Sequence, residues 1–283
     1  MRVLVAGAGY VGGALALSLA HAGHEVITVR RSEAPLEGCR TLALDLAEPG
    51  ALAKLPGEVD RIVYAVGADG RSDEAYERAY VRGLTGVLSR VRAGRVLFTS
   101  STAVYGQDDG ARVDEASEAK AEGTARFLRA GEALVQALGP RGVVLRLAGI
   151  YGPGRERLVR MVAEGSARLG SGVVGNRIHR DDCVGAIAHL LALPQPAPVY
   201  VGVDRAPVPL DEVYRWVAAE LGLPEPPEGE LDARARDGAG RRGGGKRCAS
   251  DRLLASGYAF RYPSYREGYR ETIERLRRER SGA

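Results

Sequence analysis

With 283 residues, 45% of them hydrophobic and 27% charged, the chain can bury a sizeable core and is too apolar to be globally disordered. The net charge is only +4, and lysine occurs just at Lys54, Lys120 and Lys246, so 37 of the 40 basic residues are arginine. That bias runs the whole length and reads as composition, which argues against a nucleic-acid binder. No apolar run approaches the ~18 residues of a membrane span, and the chain runs straight into a strand without a signal-like segment, so a cytoplasmic protein with no membrane partner is expected. Cys39, Cys183 and Cys248 are odd in number, far apart and without C-x-x-C spacing, so neither a disulfide framework nor a metal site is expected.

Short apolar runs alternate with helical patterns through the first half, the signature of βαβ units and hence of an α/β fold with a parallel sheet. Val3–Ala6 predicts a first strand. Val11, Leu15 and Leu19 recur every four residues as an amphipathic helix that Gly23 stops. Further strands are expected at Val26–Val29, Thr41–Leu44, Arg61–Ala65, Val96–Thr99 and Val143–Leu147, with one long helix over 73–91 and another over 124–138. Beyond these, helical spacing returns at 158–162, 184–193 and 213–221, a short strand at Val199–Val201, and a final charged helix through Tyr269, Ile273 and Leu276.

The run Gly7-Ala8-Gly9-Tyr10-Val11-Gly12 follows a strand, opens a helix and lies in a βαβ unit of ~30 residues, the context that gives a G-x-G-x-x-G pattern meaning. Gly7 permits the tight turn, Gly9 a close approach of backbone to a pyrophosphate, and Gly12 close helix–strand packing, with the anion on the helix N-terminus. An NAD site usually carries a carboxylate at the end of the second strand. Here the strand ends in Arg30 and Arg31, whose planar forks suit a 2′-phosphate, so NADP(H) is favoured and NAD(H) is the alternative. Asp45, just after the third strand, is placed to meet the adenine or to cap the segment that follows.

These pieces, with Val96–Ser101 leading into Ala103-Val104-Tyr105-Gly106, then Arg146 to Gly154, Arg177-Ile178-His179-Arg180-Asp181-Asp182 and Gly257 to Gly268, resemble the extended short-chain dehydrogenase/reductases, the NAD-dependent epimerase/dehydratase family. The resemblance covers nearly the whole chain. It implies a Rossmann-type doubly wound parallel sheet over 1–155, with 176–203 returning to it, and a smaller C-terminal substrate lobe from 156–175 and 204–283. It places Ala65, Val66, Gly67 and Ser100 beside the cofactor together with the glycine turn. A small-molecule substrate follows, a sugar nucleotide among the candidates, and a homodimer through the helices near 73–91 and 123–138.

The family's chemistry rests on a Ser, a Tyr and a Lys four residues after the Tyr, because a phenol of pKa about 10 needs a nearby cation to act near neutrality. Ser101 matches the serine. Counting back from Glu132 puts Thr124 and Leu128 where Tyr and Lys belong, and none of the twelve tyrosines has a lysine four residues on. The chain therefore resembles an atypical member: an oxidoreductase or epimerase with substituted acid/base groups, or a non-catalytic NADP(H)-binding sensor. The candidates for the missing proton are Tyr105, Tyr151 and His179, the last because imidazole titrates near neutrality. Asp114 and Glu115 follow Tyr105 closely enough to be considered for substrate contact. The Gly/Arg-rich stretch 234–247 is a candidate for a phosphate-bearing substrate.

Overall fold

The computed structural model describes residues 1–120, 122–229 and 245–281. Seven strands, β1 (Arg2–Ala6), β2 (Glu25–Arg30), β3 (Cys39–Ala43), β4 (Glu58–Tyr64), β5 (Arg92–Ser101), β6 (Gly142–Leu147) and β7 (Val199–Gly202), form one sheet in the order β7-β6-β5-β4-β1-β2-β3. Every neighbouring pair is parallel. Helices cover both faces, which is why Val3–Val5, Ile62–Tyr64 and Val143–Leu145 are continuous buried runs without polar alternation. The strand order reverses between β1 and β4, and ligands of such sheets bind outside the carboxyl ends at that point.

The helices are α1 (Tyr10–His21), α2 (Asp73–Glu77), α3 (Gly83–Arg90), α4 (Ala125–Gln136), α5 (Arg157–Ala163), α6 (Arg180–Ala192), α7 (Leu210–Glu220), α8 (Asp251–Ala255) and α9 (Tyr265–Ser281). The single helix expected over 73–91 is instead α2, a π-helical turn at Arg78–Arg82, and α3. The cause is Tyr64 at the end of β4. Its buried hydroxyl donates to Ala79 O at 2.6 Å, and a Cβ on Gly83 would stand 2.5 Å from that oxygen. The extra residue in the turn makes room for the ring.

Arg95 shows how the sheet holds a helix end. From β5 its guanidinium donates to the carbonyls of Leu190 (3.2 Å), Leu191 (3.1 Å), Leu193 and Pro194 (3.0 Å), which close the otherwise unsatisfied carboxyl end of α6.

Two apolar clusters result. The larger surrounds the sheet; the second gathers Val159, Val162, Leu210, Val213, Val217, Tyr265, Tyr269 and Ile273 from α5, α7 and α9, with Tyr151. Tyr151 belongs to a short parallel pair, Gly149–Tyr151 with Arg177–His179, that carries the chain from β6 into the second cluster. Asp182, 1% exposed, fastens the C-terminal segment: it accepts from Tyr258 Oη (2.8 Å), Arg261 N (2.8 Å) and Tyr262 N (2.9 Å).

Candidate active site and cofactor cleft

The three glycines of the turn differ in what surrounds them. Gly7 has φ +93°, donates its N–H to Val29 O at 2.9 Å, and a Cβ there would lie 2.5 Å from Val66 N. A Cβ on Gly12 would collide with the carbonyl of Gly7. Both are glycine for packing reasons. A Cβ on Gly9 would meet nothing within 4 Å, so that face is open to a cavity, the arrangement that lets backbone approach a bound group. Gly9 also begins α1, whose first turn carries no side-chain cap and no acidic residue, leaving its N–H groups and positive end for an anion.

A cavity of about 630 Å³ lies over this turn, lined by Gly7, Gly9, Arg30, Arg31, Asp45 and Ala65–Gly67 among others. Arg31 pairs with Asp69 at 2.8 Å, both side chains largely exposed. Asp45 accepts from Ala47 N at 2.9 Å and from Arg78 Nη2 at 3.0 Å, so it closes the turn after β3 while forming part of the wall. A second cavity of about 1480 Å³ shares Gly9 and Ala65–Gly67 with the first. Tyr10 and Val11 also line it, and it continues past Ser100–Ala103 to Tyr151, Arg177, Lys246 and Tyr269.

Thr124 stands at the start of α4 and Leu128 is packed in the core, 4% exposed, where the tyrosine and lysine of the usual pair were sought. A buried polar network occupies the neighbourhood. Ser100 donates to Glu132 Oε1 at 2.7 Å, and Glu132, fully buried, receives Arg146 through Nε (2.9 Å) and Nη2 (2.7 Å) as well as Arg129. Arg146 Nη1 donates to Tyr105 Oη at 2.8 Å. The hydroxyl of Ser100 is thus committed to Glu132, although the residue borders the cleft.

Tyr105 lies off the cleft wall: it is 1% exposed and burial pushes its phenol up to about 12. Tyr151 is on the wall, but its hydroxyl donates to Ser264 O at 3.3 Å and burial raises its pKa far above the ordinary tyrosine value. His179 caps α6 by accepting from Asp181 N at Nδ1 (3.2 Å), packs at a tilt against Tyr262 with ring centres 3.9 Å apart, and has its pKa lowered by burial. It does not line the cleft. Ser101 does; its oxygen accepts from Ala103 N at 3.1 Å, and its own proton has no acceptor among the described residues. Asp114 closes its own turn with Ser117, and Glu115 accepts from Val201 N at 2.8 Å, so both are structural here.

Sequence reasoning gave Glu132 and Arg177 no role of their own, and named Lys246 only as part of the stretch 234–247. Lys246 is 1% exposed, lines the cleft, donates from Nζ to Tyr105 O at 2.7 Å, and burial lowers its pKa. The signal for it was its rarity, one of three lysines among 40 basic residues. The rest of the stretch 234–247 lies outside the described residues except for Gly245, Lys246 and Arg247. Among the described residues no group of three or more His, Cys, Asp or Glu is placed to hold a metal, and no helix is long and apolar enough to cross a membrane.

Residues 3–200 match the model of the NAD dependent epimerase/dehydratase family. Over 277 residues the chain is 30% identical to Protein YeeZ of Escherichia coli K12, covering 93% of this chain and 96% of that one. It is 29% identical over 262 residues to the 2-alkyl-3-oxoalkanoate reductase of Stenotrophomonas maltophilia, covering 79% and 77%. A solved structure from Methylobacillus flagellatus, assigned to the NAD-dependent epimerase/dehydratases, shares 33% identity over 98% of each chain with a TM-score of 0.79. The chain belongs to the NAD-dependent epimerase/dehydratase family, whose members bind NAD(P).

Proposed function

We propose that this protein is a cytoplasmic NADP(H)-dependent oxidoreductase or epimerase with an atypical active site, acting on a small carbonyl- or hydroxyl-bearing substrate. The observation that carries the reading is the open face of Gly9, which joins the cavity over the glycine turn to the larger cleft. The division of labour is a Rossmann domain over 1–155 with 176–203, and a substrate lobe from 156–175 and 204–283.

The fit to a dinucleotide follows from the donor set. The open N–H groups and dipole at the start of α1 favour the pyrophosphate. Arg30 and Arg31 offer planar forks to a 2′-phosphate, with Asp69 releasing Arg31 when the nucleotide binds. The nicotinamide ring would supply or accept the hydride. Ser101 donates its free proton to the substrate oxygen. Lys246 carries the proton that the missing tyrosine would give: two of its three N–H groups are uncommitted among the described residues, and burial lowers its pKa towards the range useful for transfer. Tyr151 and His179 shape and brace the site.

A second reading, a non-catalytic NADP(H) sensor, is favoured by Leu128 filling the lysine position with core. Calorimetric titration with NADPH and NADH tests the cofactor, with tighter binding of NADPH expected. Oxidation of NADPH against a panel of carbonyls and sugar nucleotides, repeated with Ser101→Ala and Lys246→Met, separates enzyme from sensor. Binding without turnover of any panel member favours the sensor. Homodimerisation through the helical segments near 73–91 and 123–138 is expected to appear as a doubled mass in light scattering.

A further inference from the structure

Lysine carries its amine on a flexible four-carbon stem, so a lysine that must present that amine at one place has to be held there. Lys246 is held at both ends. Its Nζ donates to Tyr105 O at 2.7 Å. Its backbone leads into a short extended segment, Arg247–Cys248, that pairs in parallel with Arg112–Val113. On that side Arg247 N donates to Ala111 O (2.8 Å) and Ala249 N to Val113 O (2.9 Å). Gly245, just ahead, is packed so closely that a Cβ there would collide with Asp108 O.

An extended chain turns its peptide groups alternately to two sides, so Lys246 O and Cys248 N face away from Arg112–Val113 and need other partners. One side chain answers both. Asn176 donates from Nδ2 to Lys246 O at 3.0 Å and accepts at Oδ1 from Cys248 N at 2.7 Å, standing where a further strand would. A carboxylate in its place would accept from Cys248 N but oppose the carbonyl of Lys246, and an apolar side chain would answer neither. Asn176 is anchored in turn, because its carbonyl accepts from Gly149 N at 3.1 Å, just beyond the end of β6. Asn176, Gly149, Lys246 and Ser101 all line the larger cleft.

We propose that Asn176 is a positioning residue for Lys246, gripping the backbone on either side of Arg247 so that the amine is presented to the substrate cleft. The inference rests on the reading of Lys246 as the proton donor of that cleft, and Asn176 acts on the reaction only through the lysine. Without the grip, the pairing with Arg112–Val113 still holds the segment on one side, but Lys246 O and Cys248 N lose their partner. The stem then reaches more water. A displacement of the amine by about 1 Å is enough to slow the transfer by about 100-fold.

The chain has only three lysines, so protein carrying isotope-labelled lysine gives three side-chain amine signals in a magnetic-resonance titration, and the one missing from Lys246→Met is Lys246. In the parent, burial should set its midpoint below those of Lys54 and Lys120. In Asn176→Ala the midpoint should rise towards the ordinary lysine value of about 10.4, by about one unit or more, with the other two signals unmoved. A folded Asn176→Ala protein whose Lys246 titrates as in the parent overturns the proposal. For a carbonyl or sugar nucleotide of the panel that is turned over, kcat should fall by about tenfold to a hundredfold with KM near the parent value. A raised KM with unchanged kcat would make Asn176 a substrate contact and overturn the positioning role. Should Asn176→Ala fail to fold, Asn176→Ser, too short to reach both groups, replaces it under the same outcomes. If Lys246→Met turns over as the parent does while Asn176→Ala still moves the Lys246 signal, the grip stands and the proton-donor reading falls instead.

Discussion

Gly7 and Gly9 are two residues apart in one turn, and the structure assigns them opposite sensitivities. A Cβ on Gly9 meets nothing within 4 Å, so Gly9→Ala should fold with stability within about 1 kcal/mol of the parent. The added methyl projects into the cavity proposed to hold the nucleotide. Forcing a methyl into a fitted contact costs about 1–3 kcal/mol, which is roughly a 5- to 150-fold rise in the Kd for NADPH. Gly7→Ala should behave in the reverse order. Its φ of +93° costs an L-residue about 1–2 kcal/mol, and a Cβ 2.5 Å from Val66 N adds an overpacking cost of about 1–3 kcal/mol. A total of roughly 2–5 kcal/mol is a large part of the 5–15 kcal/mol typical of a folded protein. Thermal melts and NADPH titration of both variants read the two effects separately. A Gly9→Ala protein that binds NADPH as tightly as the parent would refute the assignment of the open face to the cofactor, and a Gly7→Ala protein that melts with the parent would refute the packing role of Gly7.

Removing Glu132 leaves Arg146 buried without its counter-charge, so Glu132→Ala should destabilise by about 3–5 kcal/mol in urea unfolding, and adding Arg146→Met should recover much of the loss. Asp204 is pushed up to about 7 by burial. Its folded state therefore holds the proton more tightly than the unfolded chain, so its contribution is full below about pH 4 and is lost as pH rises through 7. Asp204→Asn should flatten that fall, worth a few kcal/mol, in melts recorded between these limits. His179 acts in the opposite direction: its pKa is lowered, so its contribution is full above about pH 6.5 and is lost on acidification below that value. His179→Asn keeps a capping side chain and should leave both stability and turnover near the parent values, whereas His179→Ala should cost about 1 kcal/mol. A collapse of turnover in a stable His179→Asn protein would return the histidine to the mechanism.

Much of the architecture is local information. Val3–Val5 of β1, Ile62–Tyr64 of β4 and Val143–Leu145 of β6 are buried on both faces, so they are continuous apolar runs, and such runs can be read without knowing what they pack against. The turn at Gly7–Gly12 is equally legible because backbone conformation and close approach restrict it to glycine. The proposal of a missing pair is also local in origin: Thr124 and Leu128 stand at the spacing where the resemblance expects a tyrosine and a lysine. The helix over 73–91 was legible in its extent only, since its π-helical turn depends on Tyr64, which belongs to a different element.

What the sequence determined by itself is therefore the parallel sheet and the glycine turn between β1 and α1. Tertiary structure alone decided which polar residues face the cleft. Ser100, Glu132, Arg146 and Tyr105, from β5, α4, β6 and the loop after β5, satisfy one another inside the protein, which removes Tyr105 from the wall. Lys246, far from them in the chain, reaches the cleft with two N–H groups uncommitted among the described residues. A polar side chain is available for function only if nothing in the folded chain has already claimed it. That is a property of three-dimensional pairing, and local patterning does not encode it.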